Sequence, residues 1–433
     1  MERSRCRLYS SVRKIRSFVT LVNIWRRWVP LFLLPHRRPK KENMLVYNAS
    51  VHPQVVGQEL IQTGQLSHVP DMYRETLERT PRMMVDKENI RSFFKSQVTT
   101  EDINLATQSS NVLHVSSPLL NCGVTEYTHF LMDGMKRTSC YVKWPDCRSG
   151  IIAGLYDNPI IHVQYHGAYC KAEELACVVE MIDQHKVCTL HDIPASIPIL
   201  SKFDSIICHT EADRKIIRAH CSCPERIHHI PQGIPPLFTG TPHASNKSPL
   251  IGFIGFMSGH KGLHKLVECF PQLIGDFPQI GCRVVSSINH DLAGQEATDF
   301  ARNIHKMAEM TGTYSRFEWV HDHISSQEMQ QHLAACDLLV LPYLFGSSGG
   351  SSAALRMALS TGVPVVCSDV PILMDIDEGV FRFPVADVEN LSEHIRNALR
   401  SNLVKKRDEV RKVVERDSWI NVAKRTEELY DSL

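Results

Sequence analysis

Cys336 to Asp369 reads CDLLVLPYLFGSSGGSSAALRMALSTGVPVVCSD, and the spacing of its apolar and small residues decides the fold. Asp337 to Pro342 is a short apolar run suited to a buried parallel strand. Gly346 to Gly350 is a loop whose glycines let a ligand approach the backbone. Ser351 or Ser352 can cap the helix that follows, Ala353 to Thr361, which is apolar on nearly every side. Gly362 stands where a C-terminal cap belongs, Pro364 forbids continuation, and Val363 to Cys367 reads as the next strand. Strand, loop, helix and strand in this order build an open α/β sheet, whose ligands bind beyond the carboxyl ends of the strands. A small-residue turn opening a helix presents unpaired N–H groups at a positive dipole end, so an anion, most simply a phosphate, is expected there.

The rest of the chain repeats this alternation. At 433 residues it is too long for one ordinary core. The net charge of +1 conceals an asymmetry: residues 1–43 carry twelve Lys/Arg against two Asp/Glu, a net of +10, which leaves −9 for the remainder. Basic character confined to one end argues against a nucleic-acid-binding core and for a tail with its own partner. Within that tail, Phe18 to Pro35 is apolar but holds Arg26, Arg27 and Pro30, which makes it a poor transmembrane helix. It reads either as a segment lying among the headgroups of an anionic leaflet or as an unstructured leader before a start at Met44. No small-residue cleavage site follows it, so a signal peptide is disfavoured. Residues 44–110 carry helical signals around Pro70 to Thr80 and Lys87 to Lys95 but no usable motif.

From Asn111 short apolar runs alternate with amphipathic ones, the pattern of βαβ units. Strands are expected at Val112 to Val115, Cys140 to Lys143, Ile160 to Gln164, Val187 to Leu190, Ser205 to Cys208 and Ile227 to Ile230. Helices are expected at Thr125 to Met135 and Ala172 to Gln184. The proline-rich stretch Pro235 to Ser248 reads as a linker. A second series follows with strands Leu250 to Phe256, Arg283 to Ile288, Phe317 to Val320 and Val380 to Pro384. Its helices are Gly262 to Ile274, Ala297 to Met310, Gln327 to Ala335, which Ser325 and Glu328 open as a capping box, and Asn390 to Arg400. The expected organisation is a leader (1–43), an extension (44–110), a first Rossmann-like domain (111–240), a second (249–404) and a helical tail (405–433). Two such domains place a cleft between them. Fourteen cysteines lack a framework spacing, and Cys188, Cys208, Cys282 and Cys367 fall inside strands as small apolar groups. That usage fits a reducing cytoplasm. Cys221 and Cys223, near His220, His228 and His229, match none of the usual zinc spacings.

Four motifs add up to a resemblance. CGVTEYT (Cys122 to Thr128) follows the first strand; TLHD (Thr189 to Asp192) ends the fourth, with His166 of VQYHGAY at a comparable strand end. IGFIGFMSGHKGLHKL (Ile251 to Leu266) and ALSTGVPVVCSD (Ala358 to Asp369) belong to the second series. In this order the chain from about Asn111 onward resembles the retaining nucleotide-sugar glycosyltransferases of the GT-B fold, the group 1 or family 4-like transferases. The resemblance implies two Rossmann-like domains facing across a cleft, and a hexosyltransferase taking a UDP- or GDP-linked donor without metal or other cofactor. The acceptor would be a saccharide or a lipid-linked one; the cysteine usage and the basic leader add a cytoplasmic location, peripheral on the inner membrane face where the leader lies among headgroups, with nucleic acid no partner. It carries Gly123, Lys261, Gly349, Gly350, Ser351 and Ser352 over as donor-binding positions, and His191 and Lys261 as catalytic ones. The chain departs from the family at three places: Phe256 stands at an arginine position, and Gly349 and Met357 at the two glutamate positions. Those losses keep open a catalytically silent relative that binds a sugar nucleotide or a protein. A GT-B epimerase or phosphorylase fits Lys261 and GVPVV less well.

Overall fold

In the computed structural model, residues 110–433 are described except 120–121, 145, 195–196, 241–247, 288–293, 322–323 and 346–348, together with a few isolated positions from 91 onward. The leader, nearly all of the extension with its two helical signals, and the middle of the linker therefore lie outside the described residues. Residues 99–151 and 155–433 belong to one compact unit.

The first domain runs β1 (Val112–Ser116), α1 (Gly123–Gly134), β2 (Ser139–Lys143), α2 (Arg148–Ile152), β3 (Ile160–Tyr165), α3 (Ala172–Glu180), β4 (His185–Leu190), β5 (Ser205–Cys208), α4 (Glu211–His220) and β6 (Ile227–His229). Its sheet has the order β2-β1-β3-β4-β5-β6, with every pairing parallel. The second domain runs β7 (Leu250–Ile254), α5 (Leu263–Asp276), β8 (Gly281–Val285), α6 (Gly294–Met310), β9 (Phe317–Val320), α7 (Ser326–Ala334), β10 (Leu338–Leu341), α8 (Ala353–Ser360), β11 (Val365–Ser368), β12 (Val380–Phe383) and α9 (Leu391–Arg400). Its order is β12-β11-β10-β7-β8-β9, again all parallel. Helices α10 (Leu403–Arg416) and α11 (Trp419–Asp431) close the chain.

Local sequence accounts for most of these elements. β3 and β10 are buried along their whole length, as strands covered on both faces must be; β10, LLVL, is an unbroken apolar run, whereas β3, IIHVQY, also buries His162 and Gln164. Both halves of the Ser325/Glu328 capping box are formed at α7. Ser352 caps α8 by accepting from the Leu355 N–H at 3.3 Å. Element ends move by one to four residues from their expected places. α3, for example, stops at Glu180, four residues before its expected end at Gln184.

The residues after Lys405 divide between the two domains. Val410, Val413 and Val414 of α10 join the core of the second. The chain then crosses back, and α11 lies on the first sheet's helix α1. Trp419 stacks on Phe130 with ring centroids 5.5 Å apart and meets Tyr127 edge-on at 5.0 Å. Glu427 accepts from the backbone N–H groups of Lys136 and Arg137 at 2.9 and 2.8 Å. Gly134 permits the close approach, because a Cβ there would stand 2.9 Å from the Trp419 carbonyl oxygen and from the Ala423 Cβ.

Beneath α11 the first sheet carries histidines where strands of this kind usually carry aliphatics. His114 and His162 sit opposite one another on β1 and β3. His162 is tied to the Tyr430 hydroxyl at 2.6 Å and the Thr189 hydroxyl at 2.7 Å. His114 has no hydrogen-bond partner among the described residues, and burial lowers its pKa from 6.5 to about 3. Burial likewise lowers His209 to about 4, against the raising effect of its bond to the Ile230 carbonyl.

A second contact holds the domains to each other. The Gly350 N–H donates to Asp213 Oδ2 at 2.8 Å, across from α4 to the loop before α8. Gly350 has φ +85°, and a Cβ there would lie 2.2 Å from the His191 carbonyl oxygen. Glycine is therefore required on both conformational and steric grounds. Burial raises the Asp213 pKa, and its bonds from Gly350 and Thr210 oppose the rise.

Two outcomes follow for stability. A histidine neutral in the fold binds its proton first in the unfolded chain, so His114 and His209 should erode stability as pH falls through 6.5, down to about 3 and 4 respectively. Urea midpoints at pH 7.5 and 5.0 should therefore differ less in His114→Leu than in the parent protein. Asp213→Ala should lower stability by about 1–3 kcal/mol by stranding the Gly350 N–H, whereas Asp213→Asn keeps an acceptor and most of the stability. Hydrogen exchange across Gly349 to Ser352 should quicken in the alanine variant alone.

Candidate active site

Order in each sheet fixes where a site can form. Strand order reverses direction between β1 and β3 in the first sheet and between β7 and β10 in the second. Segments leaving β1, β7 and β10 at their carboxyl ends therefore meet at switch points, where open α/β sheets bind ligands. Gly123 follows β1, Lys261 follows β7, and Gly349 to Ser352 follow β10.

A cavity of about 220 Å³ lies there. The first domain supplies Cys122, Gly123 and Glu126, the opening of α1. From the second come Ile254, Phe256 and Lys261 after β7, the β8 end at Val285 to Ser287, and the α8 opening at Ser351 to Ala354 with Met357. Ile324, Met329 and Ile372 complete an otherwise apolar wall. The two helix openings are close: a Cβ on Gly123 would rest 3.6 Å from that of Ala353. Two N-terminal helix ends, one from each domain, thus converge on one small space.

Lys261 ends a 3₁₀ turn whose last cap is Gly262 at φ +73°. A Cβ on Gly262 would lie 1.9 Å from the Pro342 carbonyl oxygen, so glycine alone fits the crossing below β10. The lysine ammonium stands 3.9 Å over the Tyr343 ring, and among the described residues no carboxylate lies within ion-pair distance of it. It is a cation held by an aromatic face and available to an anion. Among the described residues Glu126 is the one carboxylate in the wall, and it accepts from the Ser326 hydroxyl across the cleft at 3.5 Å.

The sequence-derived positions do not all converge. Gly123, Lys261, Ser351 and Ser352 border the cavity. Gly349 and Gly350 do not; a Cβ on Gly349 would lie 2.6 Å from Ile193, and the Gly350 amide is occupied by Asp213. Ser351 donates to Gln232 Oε1 at 2.6 Å, and the Ser352 hydroxyl is the α8 cap. His191 stands behind the loop, outside the cavity wall, with Nε2 3.1 Å from Gln164 Oε1 and its ring edge-on to Tyr127. Burial, then the neighbouring His209, His166 and His162, hold His191 well below its usual pKa and so neutral. His166 lies 3.6 Å from Asp192, whose carboxylate accepts from the Gly167 N–H at 3.0 Å.

Three residues escaped the sequence reading: Asp213, Gln232 and Arg356. Arg356 is buried, paired with Asp375, and donates through Nε to the Gln232 carbonyl at 3.3 Å. Asp375 and Asp377 form the only Asp-x-Asp of the chain, and each faces an arginine, Arg356 and Arg382.

Residues 248–401 match the family model described as "Glycosyl transferases group 1". No curated protein matches the chain by sequence. Among solved structures, the sucrose-phosphate synthase of Thermosynechococcus elongatus is similar with a TM-score of 0.59 at 16% identity, over 74% of this chain and 98% of that one. HepE of Anabaena, in complex with UDP and glucose, is similar with a TM-score of 0.57 at 14% identity, over 75% of this chain and 100% of that one. An α,α-trehalose-phosphate synthase (UDP-forming) of Burkholderia xenovorans, in complex with glucose-6-phosphate, gives 0.55 at 11% identity, over 74% and 100%. The chain has the two-domain GT-B fold, and its second domain is similar to the glycosyl transferases of group 1.

Proposed function

We propose that the protein transfers a hexose from a nucleotide-sugar donor to a saccharide or lipid-linked acceptor, with retention at the anomeric carbon. The observation that carries this reading is the meeting of Lys261 with two helix N-termini, Gly123 and Ala353, in one cavity. Cleavage of the anomeric carbon–phosphate bond builds negative charge on the departing nucleoside diphosphate. Donors fixed before the reaction and aimed at that charge are the main catalysis such a site can provide. Lys261 would carry the cationic part and the amide ends of α1 and α8 the dipolar part. The apolar wall of Ile254, Val285, Met329 and Met357 keeps water, the competing acceptor, from the bond being broken. The pairing of Asp375 and Asp377 with arginines supports charge stabilisation by Lys261 in preference to a metal held by that motif. His191, neutral and hydrogen-bonded to Gln164, would support the sugar-facing side of the cleft through the Gly350 loop.

A second reading rests on Phe256 and Met357, which line the cavity at positions where the resemblance expects an arginine and a glutamate. On that reading the chain binds a sugar nucleotide without turning it over. A panel of UDP- and GDP-hexoses assayed for nucleoside diphosphate release separates the two, since binding without release on every donor identifies the silent form.

With an active donor, Lys261→Ala should reduce release by about 10²- to 10³-fold while the thermal midpoint stays unchanged. Undiminished release would remove Lys261 from the phosphate site. The basic residues 1–43 would hold the protein at an anionic membrane face, and their deletion should move it from the membrane to the soluble fraction. Among the described residues, no helix is long and apolar enough to cross a membrane.

A further inference from the structure

Ser286 lies immediately beyond β8 and lines the cavity beside Val285 and Ser287. It is 2% exposed, and its hydroxyl has no hydrogen-bond partner among the described residues. A buried hydroxyl left unpaired is unfavourable, and at a site wall a ligand oxygen can complete its bond. The other serine hydroxyls at the α8 opening are occupied, Ser351 by Gln232 and Ser352 by the Leu355 N–H.

The backbone around Ser286 is held firmly. Its N–H donates to the Val320 carbonyl at 2.9 Å, and its own carbonyl lies 3.2 Å from His321 Nδ1. A carbonyl only accepts, so His321 carries its proton on Nδ1 and presents Nε2 as an acceptor. His305 Nε2 stands 2.8 Å from that atom and must donate, which leaves His305 Nδ1 to accept from the Tyr314 hydroxyl at 3.3 Å. The chain Tyr314 to His305 to His321 to the Ser286 carbonyl then has one consistent direction. It leaves the Ser286 segment fixed and the serine hydroxyl uncommitted.

We infer that Ser286 binds the donor, its hydroxyl hydrogen-bonding an oxygen of the nucleoside diphosphate held at the Lys261 end of the cavity. This rests on the nucleotide-sugar reading above. It gives the second domain a hydroxyl contact where Gly349 and Met357 offer none, and a serine can donate to a phosphate oxygen or accept from a ribose hydroxyl.

Titration calorimetry of the full chain with UDP and with GDP tests it, alongside thermal unfolding of the ligand-free protein. Ser286→Ala should weaken the nucleotide that binds by about tenfold or more, as expected for loss of a bond to a charged partner. The ligand-free midpoint of Ser286→Ala should stay level or rise, because the substitution removes an unpaired buried group. Ser286→Cys, close in volume and weak in hydrogen bonding, should follow the alanine variant in affinity. Affinities within twofold of the parent, or a lowered ligand-free midpoint with unchanged affinity, would overturn the inference and leave the nucleotide reading standing. A parent protein that binds neither UDP nor GDP would overturn both.

Discussion

The hydrogen bond from the Gly350 amide to Asp213 governs the spacing of everything around the cavity. It joins the first turn of α4 in one domain to the loop that leads into α8 in the other. With Gly350 seated against the His191 carbonyl, α8 can start in one place only, and its opening faces that of α1. A residue with a Cβ at position 350 would be doubly excluded, by its positive φ and by the carbonyl it would strike. The glycines of this loop therefore serve contact between domains before they serve any ligand. Arg356 extends the same seam: it ties α8 to the carbonyl of Gln232, just before the linker, and satisfies its charge on Asp375. A buried pair of that kind contributes little net stability but makes alternative packings expensive, because either partner alone would be an uncompensated charge.

The closing helix α11 adds the second tie between domains. Its Trp419 rests in a niche that Gly233, just before the linker, leaves open, since a Cβ there would come within 2.3 Å of the indole. Its Tyr430 hydroxyl reaches the buried His162. The first domain thereby depends on the last residues of the chain for the covering of its own sheet. The histidines under that cover are neutral because burial penalises their charged forms, and an imidazole fixed as neutral can orient hydrogen bonds without introducing charge near a phosphate. The arrangement favours one protonation state over the whole neutral range and becomes a liability only in acid.

Much of the architecture was legible because buried parallel strands are written as short continuous apolar runs. Twelve strands fell close to the runs expected for them, and the capping residues of α7 and α8 acted as read. Strand ends were less legible: β7 stops at Ile254, two residues short, because the chain must turn at Gly255 to carry Phe256 into the cavity wall. The place of Gly123 and Lys261 at the cavity was legible because each follows a strand at a switch point, a position fixed by topology. Asp213, Gln232 and Arg356 could not be found. Their roles are contacts between segments more than a hundred residues apart, and a helix-opening aspartate after Thr210 has a sufficient local explanation in the α4 cap. The placement of Gly349 and Gly350 against the first domain was hidden for the same reason. A Gly/Ser loop before a helix looks alike whether its amides face a phosphate or a neighbouring carboxylate.

The substitutions in the cavity wall bear on how much discrimination this site can exert. A carboxylate that accepts from a ligand hydroxyl rejects analogues lacking that hydroxyl, because its own buried charge would then stand unpaired. Met357 carries no such penalty, and neither does Phe256, so the wall favours apolar contact over a fixed pattern of hydrogen bonds. In the proposed donor site Lys261 and the helix ends would recognise charge and be nearly indifferent to which sugar or base accompanies it. Selectivity in such a site must come from shape and from the few polar atoms that lose something when a ligand fits badly. A buried hydroxyl with no internal partner is an atom of that kind, since its state in the empty protein is already unfavourable and only a correctly placed oxygen relieves it. The position of Ser286 at the end of β8, pinned by its own backbone to β9 and His321, makes that requirement geometric as well as chemical.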